Sequence, residues 1–216
     1  MQTTQIAQPR TPTSTRTAGW LLAGALVIFA AWFVAAMTTL SSAGVTNSAD
    51  LTPAQMSTIR VGWTFIWPLY ALALLVGLAG SALLNNALRA TAGRPWATAS
   101  QVVNALAAIT IIGYVVLVLS IAGFTEPRLG DNRWWDPSLT LSVAACGLAL
   151  AGITLTAVAL RKSGLLRRTG LVVAIIGGVM FALNLVTLGA LPPFVPALLW
   201  LVCGIALLRR PVASTR

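Results

Sequence analysis

Apolar residues occur in long runs along most of the chain, and polar or charged residues gather in the short segments between them. A helix needs about 20 predominantly apolar residues to cross the hydrocarbon core of a bilayer. The pattern therefore predicts an all-α fold, a polytopic transmembrane helix bundle with six spans. The predicted spans are residues 17–40, 63–88, 96–124, 139–160, 169–189 and 190–208.

The last two spans come from one uncharged stretch, residues 169–208. A single helix of that length would extend about 60 Å, which is twice the hydrocarbon thickness. Pro192 and Pro193 lack the N–H that continues a helical ladder. We therefore expect a hairpin whose second span is short.

The charged residues predict how the chain is threaded, because basic residues are retained on the cytoplasmic side of a membrane. With the N-terminus inside, 11 of the 14 basic residues fall in cytoplasmic segments and all four acidic residues fall outside. A five-span chain would place Arg209 and Arg210 outside. Six spans with both termini cytoplasmic fit the charges better.

Two polar tails flank the predicted membrane domain. Residues 1–16 contain many threonines and several polar residues, which predicts a disordered cytoplasmic tail. Residues 209–216 form a basic cytoplasmic tail. A cleaved signal peptide is the alternative for the first span, since small residues follow it, but its apolar core exceeds the typical length of about 7–15 residues. We expect a retained helix.

Composition supports lipid as the solvent, since 57% of the residues are apolar and only 8% are charged, against about 25% charged in a soluble domain. The net charge of +10 is spread in small groups and forms no continuous basic face, which argues against nucleic acid as a partner. Thirteen arginines stand against one lysine, Lys162. That bias is typical of a GC-rich bacterial genome, so we expect a bacterial cytoplasmic membrane.

Several chemistries are disfavoured by the residues that the chain lacks. It contains no histidine, which rules out histidine-ligated haem or zinc and a Ser-His-Asp triad. No ionisable side chain other than cysteine and tyrosine lies inside a predicted span, which argues against proton- or cation-coupled transport. Cys146 and Cys203 lie singly in different spans and are interpreted as small packing residues. We predict no cofactor and no metal site.

The segment EPRLGDNRWWDP, residues 126–137, holds three of the four acidic residues. Its spacing matches no calcium-loop template, and two arginines lie among the acids. We therefore predict a surface loop anchored by tryptophan rather than a calcium site. Asp136 precedes Pro137, which predicts a helix N-cap at Asp136.

A second helix start is predicted outside the bilayer, ahead of the second span. Thr52 precedes Pro53, and Gln55 follows three residues after Thr52. This is the pattern of a capping box. The helix of the second span should therefore begin near residue 53.

Tryptophans are expected at the borders of the spans, because indole prefers the level of the lipid headgroups. The predicted border residues are Trp20 and Trp96 on the inner side and Trp63, Trp67, Trp134 and Trp135 on the outer side. Trp32 and Trp200 lie in the middle of spans. We expect these two to pack between helices.

Polar side chains within the spans are candidates for contacts in the bundle interior, since an unpartnered amide in hydrocarbon costs several kcal/mol. The candidates are Tyr70, Asn85, Asn104, Tyr114 and Asn184. We favour hydrogen bonds between helices over contacts with a neutral ligand.

Small residues four apart predict where helices approach closely. One such ridge on the fifth span comprises Gly170, Ala174, Gly178 and Ala182, and another on the second span comprises Ala73, Gly77 and Ser81. Packing within the bundle is the favoured interpretation. A homo-oligomer interface is the alternative.

Two hypotheses for function remain. The first is a non-catalytic integral membrane protein that acts as a subunit, scaffold or accessory through partners, such as other membrane proteins in the lipid bilayer. The second is a carrier or binding protein for an apolar or neutral small molecule held near Tyr70, Tyr114, Asn104 and Asn184. An open cavity at those residues would favour the second hypothesis, and a filled bundle would favour the first.

Overall fold

The structure, a computed structural model, describes residues 13–187 and 194–209. These residues are all-α and form six α-helices, with three short 3₁₀ turns between them. The helices are α1 Thr13–Ser42, α2 Pro53–Leu88, α3 Arg94–Ser120, α4 Trp135–Lys162, α5 Arg167–Val186 and α6 Val195–Leu208. Five of them, α1 to α5, are long and apolar enough to cross a membrane. The chain is therefore a multi-span helical membrane protein.

The helices begin, and most of them end, at other residues than the predicted spans do. α1 begins at Thr13, so residues 13–16 of the predicted N-terminal tail are helical. α2 has 36 residues and begins at Pro53, as its capping pattern predicts. The rest of the N-terminal tail, residues 1–12, and most of the C-terminal tail, residues 210–216, lie outside the described residues.

The short sixth helix has 14 residues, which corresponds to about 21 Å along its axis. This is less than the hydrocarbon thickness of about 30 Å. The predicted hairpin break at Pro192 and Pro193 lies outside the described residues. The described part of α6 is therefore too short to cross a bilayer by itself.

Two helices form the centre of the bundle. Half or more of the most apolar stretch of α2 and of α4 is buried, against less than a third for α1, α3 and α5. The outer helices α1, α3 and α5 expose large apolar side chains such as Val27, Ile109 and Ile175. Burial of only one face is expected for helices whose other side contacts lipid.

Consecutive helices run in opposite directions. Gly80, late in α2, packs against Leu22, early in α1, and Gly62, early in α2, packs against Thr39, late in α1. α1 also meets the last helix, since Gly204 of α6 lies against the backbone of α1. The bundle therefore brings the start of α1, the end of α2 and the end of α6 to one end.

The charged residues separate between the two ends of the bundle. One end, here called the basic end, carries eight of the described basic residues, which are Arg16, Arg89, Arg94, Arg161, Lys162, Arg167, Arg168 and Arg209. The other, called the acidic end, carries all four acidic residues of the chain together with Arg60, Arg128 and Arg133. Asp136 and Arg161 lie ~38 Å apart along α4, at 1.5 Å per residue.

Candidate functional site

A cluster of hydrogen-bonded polar side chains joins the two central helices to α3. The Asn85 amide of α2 donates to the Ser100 hydroxyl of α3 at 2.9 Å and to the Thr156 hydroxyl of α4 at 3.2 Å. The two hydroxyl oxygens lie 2.8 Å apart. All three side chains are completely buried. They are named below as the polar cluster.

A glycine on α4, Gly152, allows α3 and α4 to approach closely at the polar cluster. The backbone carbonyl of Gly152 accepts a hydrogen bond from Ser100 at 2.8 Å and from Thr156 at 3.0 Å. A Cβ at residue 152 would overlap the side-chain oxygen of Asn104, whose amide nitrogen lies 3.4 Å from the Ser100 hydroxyl. Only glycine leaves room for Asn104 between α3 and α4.

The polar cluster is neutral and can hold helices together but offers no group that titrates near pH 7. The side-chain oxygens of Asn85 and Asn104 have no hydrogen-bond partner among the described residues. The hydroxyl and amide groups contact one another directly, at 2.8 to 3.4 Å. The prediction that Asn85 and Asn104 face the interior agrees with their burial.

Ser100, Thr156 and Gly152 did not stand out in the sequence. A signal was present, because Ser100 and Asn104 are four residues apart, as are Gly152 and Thr156, so that each pair shares one face of its helix. Serine and threonine in helices commonly bond their own i−4 carbonyl, however, and Thr110 and Thr154 do this without joining any cluster. The spacing was therefore not specific.

A second group of buried and half-buried side chains, the aromatic cluster, lies nearer the acidic end. It comprises Phe29, Trp32, Trp63, Trp67, Tyr70 and Tyr114, whose neighbouring ring centroids lie 4.8 to 5.9 Å apart. Most of the contacts are edge-to-face or tilted, the geometry that aromatic pairs prefer. Tyr70 and Tyr114 are both buried and each contacts other rings of the cluster.

Three polar atoms in the aromatic cluster have no hydrogen-bond partner among the described residues. They are the indole nitrogens of Trp32 and Trp67 and the Tyr70 hydroxyl. Trp63 differs, since its indole donates to the Val118 carbonyl at 3.3 Å. The cluster therefore combines dense ring packing with unused hydrogen-bonding capacity.

The four residues proposed to hold a neutral ligand do not meet in one place. Tyr70 and Tyr114 pack against each other at 5.9 Å between ring centroids. Asn104 lies beside the polar cluster, next to Ser100, ten residues before Tyr114 and about 15 Å from it along α3. Asn184 donates to the Val143 carbonyl at 3.3 Å and packs on Gly147, on the side of α4 that faces α5.

Two of the six predicted border tryptophans are buried instead of exposed. Trp20, Trp96 and Trp134 are exposed, as a headgroup position requires. Trp63 and Trp135 are buried in the bundle, so their indoles do not face the headgroups as expected. Position along the chain does not give the direction in which a side chain points. The mid-span prediction for Trp200 is confirmed by its complete burial against α2.

The small-residue ridge on α5 is predicted in the wrong register. Gly170 lies close to the Ala157 carbonyl. At Gly178, by contrast, no described residue of another helix comes within 4 Å of where a Cβ would stand, and Ala182 is exposed. Ala174 is half-buried. The buried positions of α5 are Gly170, Val173, Gly177 and Asn184.

Of the two predicted helix caps, one is formed. Thr52 accepts from the Gln55 backbone N–H, and the Gln55 side chain accepts from the Thr52 backbone N–H, which completes the capping box. Asp136 is the second residue of α4, and Trp134 occupies the N-cap without a side-chain hydrogen bond. The cap predicted at Asp136 is wrong, because the helix begins one residue ahead of it.

The loops at the acidic end are joined to each other. The Leu129 backbone N–H donates to the Leu51 carbonyl at 2.8 Å. Arg128 and Asp50 lie 3.9 Å apart, and both side chains are more than half exposed, so this ion pair adds little stability. The contacts anchor the loop between α3 and α4 on the loop between α1 and α2.

Glu126 organises its own loop through hydrogen bonds. Its carboxylate accepts from the Thr125 backbone N–H and from the Asn132 amide, each at 3.0 Å. Hydrogen bonds to the carboxylate lower the pKa of Glu126, and the bond from its own backbone has the largest effect, ahead of the bond from Asn132. Within residues 13–187 and 194–209, no group of three or more His, Cys, Asp or Glu side chains is placed to hold a metal ion.

The two thiols are separated and buried, Cys146 in α4 and Cys203 in α6, and neither forms a disulfide. Comparisons with protein-family models, with curated proteins and with solved structures found no match for the chain.

Proposed function

We propose that the protein is a non-catalytic integral membrane protein of a bacterial cytoplasmic membrane, where it acts as a subunit, scaffold or accessory through partner proteins. One observation carries the proposal. The buried polar groups at the centre of the bundle, Asn85, Ser100 and Thr156, bond to one another across three helices. Their arrangement favours a structural role over one in chemistry.

The distribution of reactive groups supports the same proposal. All four carboxylates lie at the acidic end, in the loops there or, for Asp136, in the first turn of α4. Both oxygens of Glu126 accept hydrogen bonds from its own loop. Cys146 and Cys203 are buried in different helices. Acid–base catalysis needs a titratable group within hydrogen-bond reach of a substrate, and the bundle centre offers neutral amides and hydroxyls instead.

The separation of charge supports an orientation with the basic end in the cytoplasm. Basic residues are retained on that side during insertion. Both termini would then be cytoplasmic, since α1 begins and α6 ends at the basic end. The acidic end, with its joined loops, would face the outside.

A carrier for a neutral small molecule is the second candidate, and the aromatic cluster favours it. Among the residues that the structure describes, no hydrogen-bond partner meets the indole N–H groups of Trp32 and Trp67 or the Tyr70 hydroxyl. An apolar ligand with a carbonyl group would supply an acceptor to these donors. Ring packing opposes this candidate, because neighbouring aromatic side chains contact one another at 4.8 to 5.9 Å between centroids, which leaves less room for a ligand between them.

Site-specific photo-crosslinking in cells tests the proposal. A photoreactive residue is placed at an exposed position on each outer helix, at Val27, Ile109 or Ile175. A protein that acts through a partner should give one discrete protein adduct from one face and only lipid adducts from the others. Lipid adducts from all three faces would contradict the proposal.

A ligand measurement distinguishes the second candidate. The protein is purified in mild detergent, and its bound small molecules are identified by native mass spectrometry for the unaltered chain and for Tyr70→Phe. A stoichiometric neutral organic molecule that Tyr70→Phe releases would favour the carrier. Tyr70→Phe without any effect on bound molecules, together with a protein adduct, would favour the subunit or scaffold.

A further inference from the structure

A pocket of about 560 Å³ opens at the basic end, where α4 ends and α5 begins. Its walls are Arg161, Lys162, Ser163, Gly164 and Arg167. Gly164 has a φ of +76°, a conformation that glycine adopts without strain. The sharp turn brings the last basic residues of α4 and the first of α5 around one opening.

The basic side chains of this pocket have no acidic side chain beside them in residues 13–187 and 194–209. All four acidic residues of the chain lie at the opposite end of the bundle. Arg161, Lys162 and Arg167 are exposed, so their charges remain available to a partner. Three positive charges around a concave surface are complementary to a phosphate group.

Helix electrostatics explains only part of this arrangement. Arg161 and Lys162 lie in the last turn of α4, where the helix dipole favours cations. Arg167 lies in the first turn of α5, where the dipole disfavours cations, and that turn contains no acidic residue. The position of Arg167 therefore costs helix stability unless an anion lies beside it.

The location of the pocket selects among possible anions. α4 and α5 are apolar helices long enough to cross a membrane, so the turn between them lies at the level of the lipid headgroups. Basic pockets between transmembrane helices bind anionic headgroups in this position. We propose that the turn between α4 and α5 binds the phosphate of an anionic phospholipid headgroup, with Arg161 and Arg167 as the main contacts. The proposal rests on the orientation proposed above, in which the basic end faces the cytoplasm.

Retention of basic residues during membrane insertion could alone account for the charges, but it requires no pocket. Arg168 provides the matched control. It follows Arg167 directly, carries the same charge and is also exposed, yet it does not line the pocket. A pocket distinguishes these two neighbours, whereas a diffuse surface charge does not.

Native mass spectrometry of the full chain in neutral detergent measures the binding directly. Phosphatidylglycerol is titrated against the unaltered protein, Arg161→Gln, Arg167→Gln and Arg168→Gln, with zwitterionic phosphatidylcholine as the reference lipid. We expect phosphatidylglycerol to bind preferentially, and each pocket substitution to weaken it about fivefold, as expected for one basic residue beside an anionic lipid. Arg168→Gln should change it less than about twofold. Equal melting temperatures for the variants confirm that each remains folded.

Three results would overturn the proposal. Equal losses in Arg167→Gln and Arg168→Gln would assign the binding to diffuse surface charge. Equal binding of phosphatidylglycerol and phosphatidylcholine would remove the role of the anion. Displacement of phosphatidylglycerol by millimolar inorganic phosphate or glycerol phosphate would make a soluble anion the occupant instead of a lipid.

Discussion

Two helices carry the same kind of small-residue ridge, and the bundle uses them differently. On α2, Ala73, Gly77 and Ser81 are all buried, and the Trp200 ring of α6 lies where a Cβ at residue 77 would stand. On α5, the same spacing reaches Gly178. There, no described residue of another helix lies within 4 Å of the position that a Cβ would take. A pattern of small residues predicts close packing only where another helix faces it.

The difference follows from the positions of the helices in the bundle. α2 lies at the centre, with half of its most apolar stretch buried, and Ala73, Gly77 and Ser81 lie on its buried face. α5 lies at the rim and packs one narrow face. On a helix with 3.6 residues per turn, two residues seven positions apart differ by only about 20° in direction. Two residues four positions apart differ by about 40°, so a ridge with that spacing turns around the helix faster. Gly170, Gly177 and Asn184 therefore keep to the face on α4, and Gly178 turns away from it.

The largest expected effect comes from adding one methyl group at the centre. Gly77→Ala places a Cβ inside the Trp200 ring and should lower the free energy of unfolding by about 1–3 kcal/mol, the usual cost of overpacking. Gly178→Ala, the rim control, should be neutral or stabilising by up to about 1 kcal/mol, because alanine has the higher helix propensity. Unfolding in detergent by heat or SDS provides the measurement.

A second substitution checks the cause of that loss. Gly77→Ala should cost less in a Trp200→Leu background than in the unaltered protein, because the smaller side chain vacates the space. If Gly77→Ala and Gly178→Ala unfold alike, the contrast between centre and rim is wrong. A Gly77→Ala loss that Trp200→Leu does not relieve would also contradict the proposed contact.

The next effect in size concerns hydrogen bonds at the centre. Asn85→Ala removes the amide that bonds Ser100 and Thr156 and should cost about 1–2 kcal/mol. Asn86→Ala, at the exposed neighbour that accepts from Gln101 at 2.7 Å, should cost less than about 0.5 kcal/mol. The same unfolding assay compares the two variants. Equal losses would mean that the polar cluster adds nothing beyond an ordinary surface contact.

The smallest expected effect concerns helix starts at the acidic end. Thr52→Ala should cost about 1 kcal/mol because it removes a formed cap. Asp136→Ala and Asp136→Asn should both cost only a few tenths of a kcal/mol, since each removes just a charge near a helix N-terminus. Added salt should reduce the stability loss of both Asp136 variants, because it screens charge, and should leave the stability loss of Thr52→Ala unchanged. A silent Asp136→Asn beside a costly Asp136→Ala would restore Asp136 as a cap.

Local signals in the sequence predicted local structure well. The apolar runs predicted the helices, and Thr52 with Gln55 predicted the start of α2, because the residues that decide these features are neighbours along the chain. The helix cap predicted at Asp136 was wrong, although its local sequence pattern was equally typical of a helix start. Asn132 accepts from the Trp134 backbone N–H at 3.0 Å and also holds Glu126. That loop is shaped by contacts that no helix-start pattern contains.

Features that need a partner from a distant part of the chain were harder to predict. Burial of Asn85 and Asn104 could be predicted from the cost of an amide in hydrocarbon, but their bonding to Ser100 could not. The packing of Trp200 on Gly77 joins residues 123 positions apart. Depth in the membrane is encoded by chain position, while the facing direction depends on the packed bundle.

Cysteine accessibility in spheroplasts tests the proposed threading of the chain most directly. Ala90→Cys lies at the basic end and Thr125→Cys at the acidic end, and both positions are exposed, whereas the natural Cys146 and Cys203 are buried. A membrane-impermeant maleimide should label Thr125→Cys at once and label Ala90→Cys only after the membrane is permeabilised. Labelling of Ala90→Cys before permeabilisation, with Thr125→Cys protected, would contradict the account by reversing the bundle in its membrane.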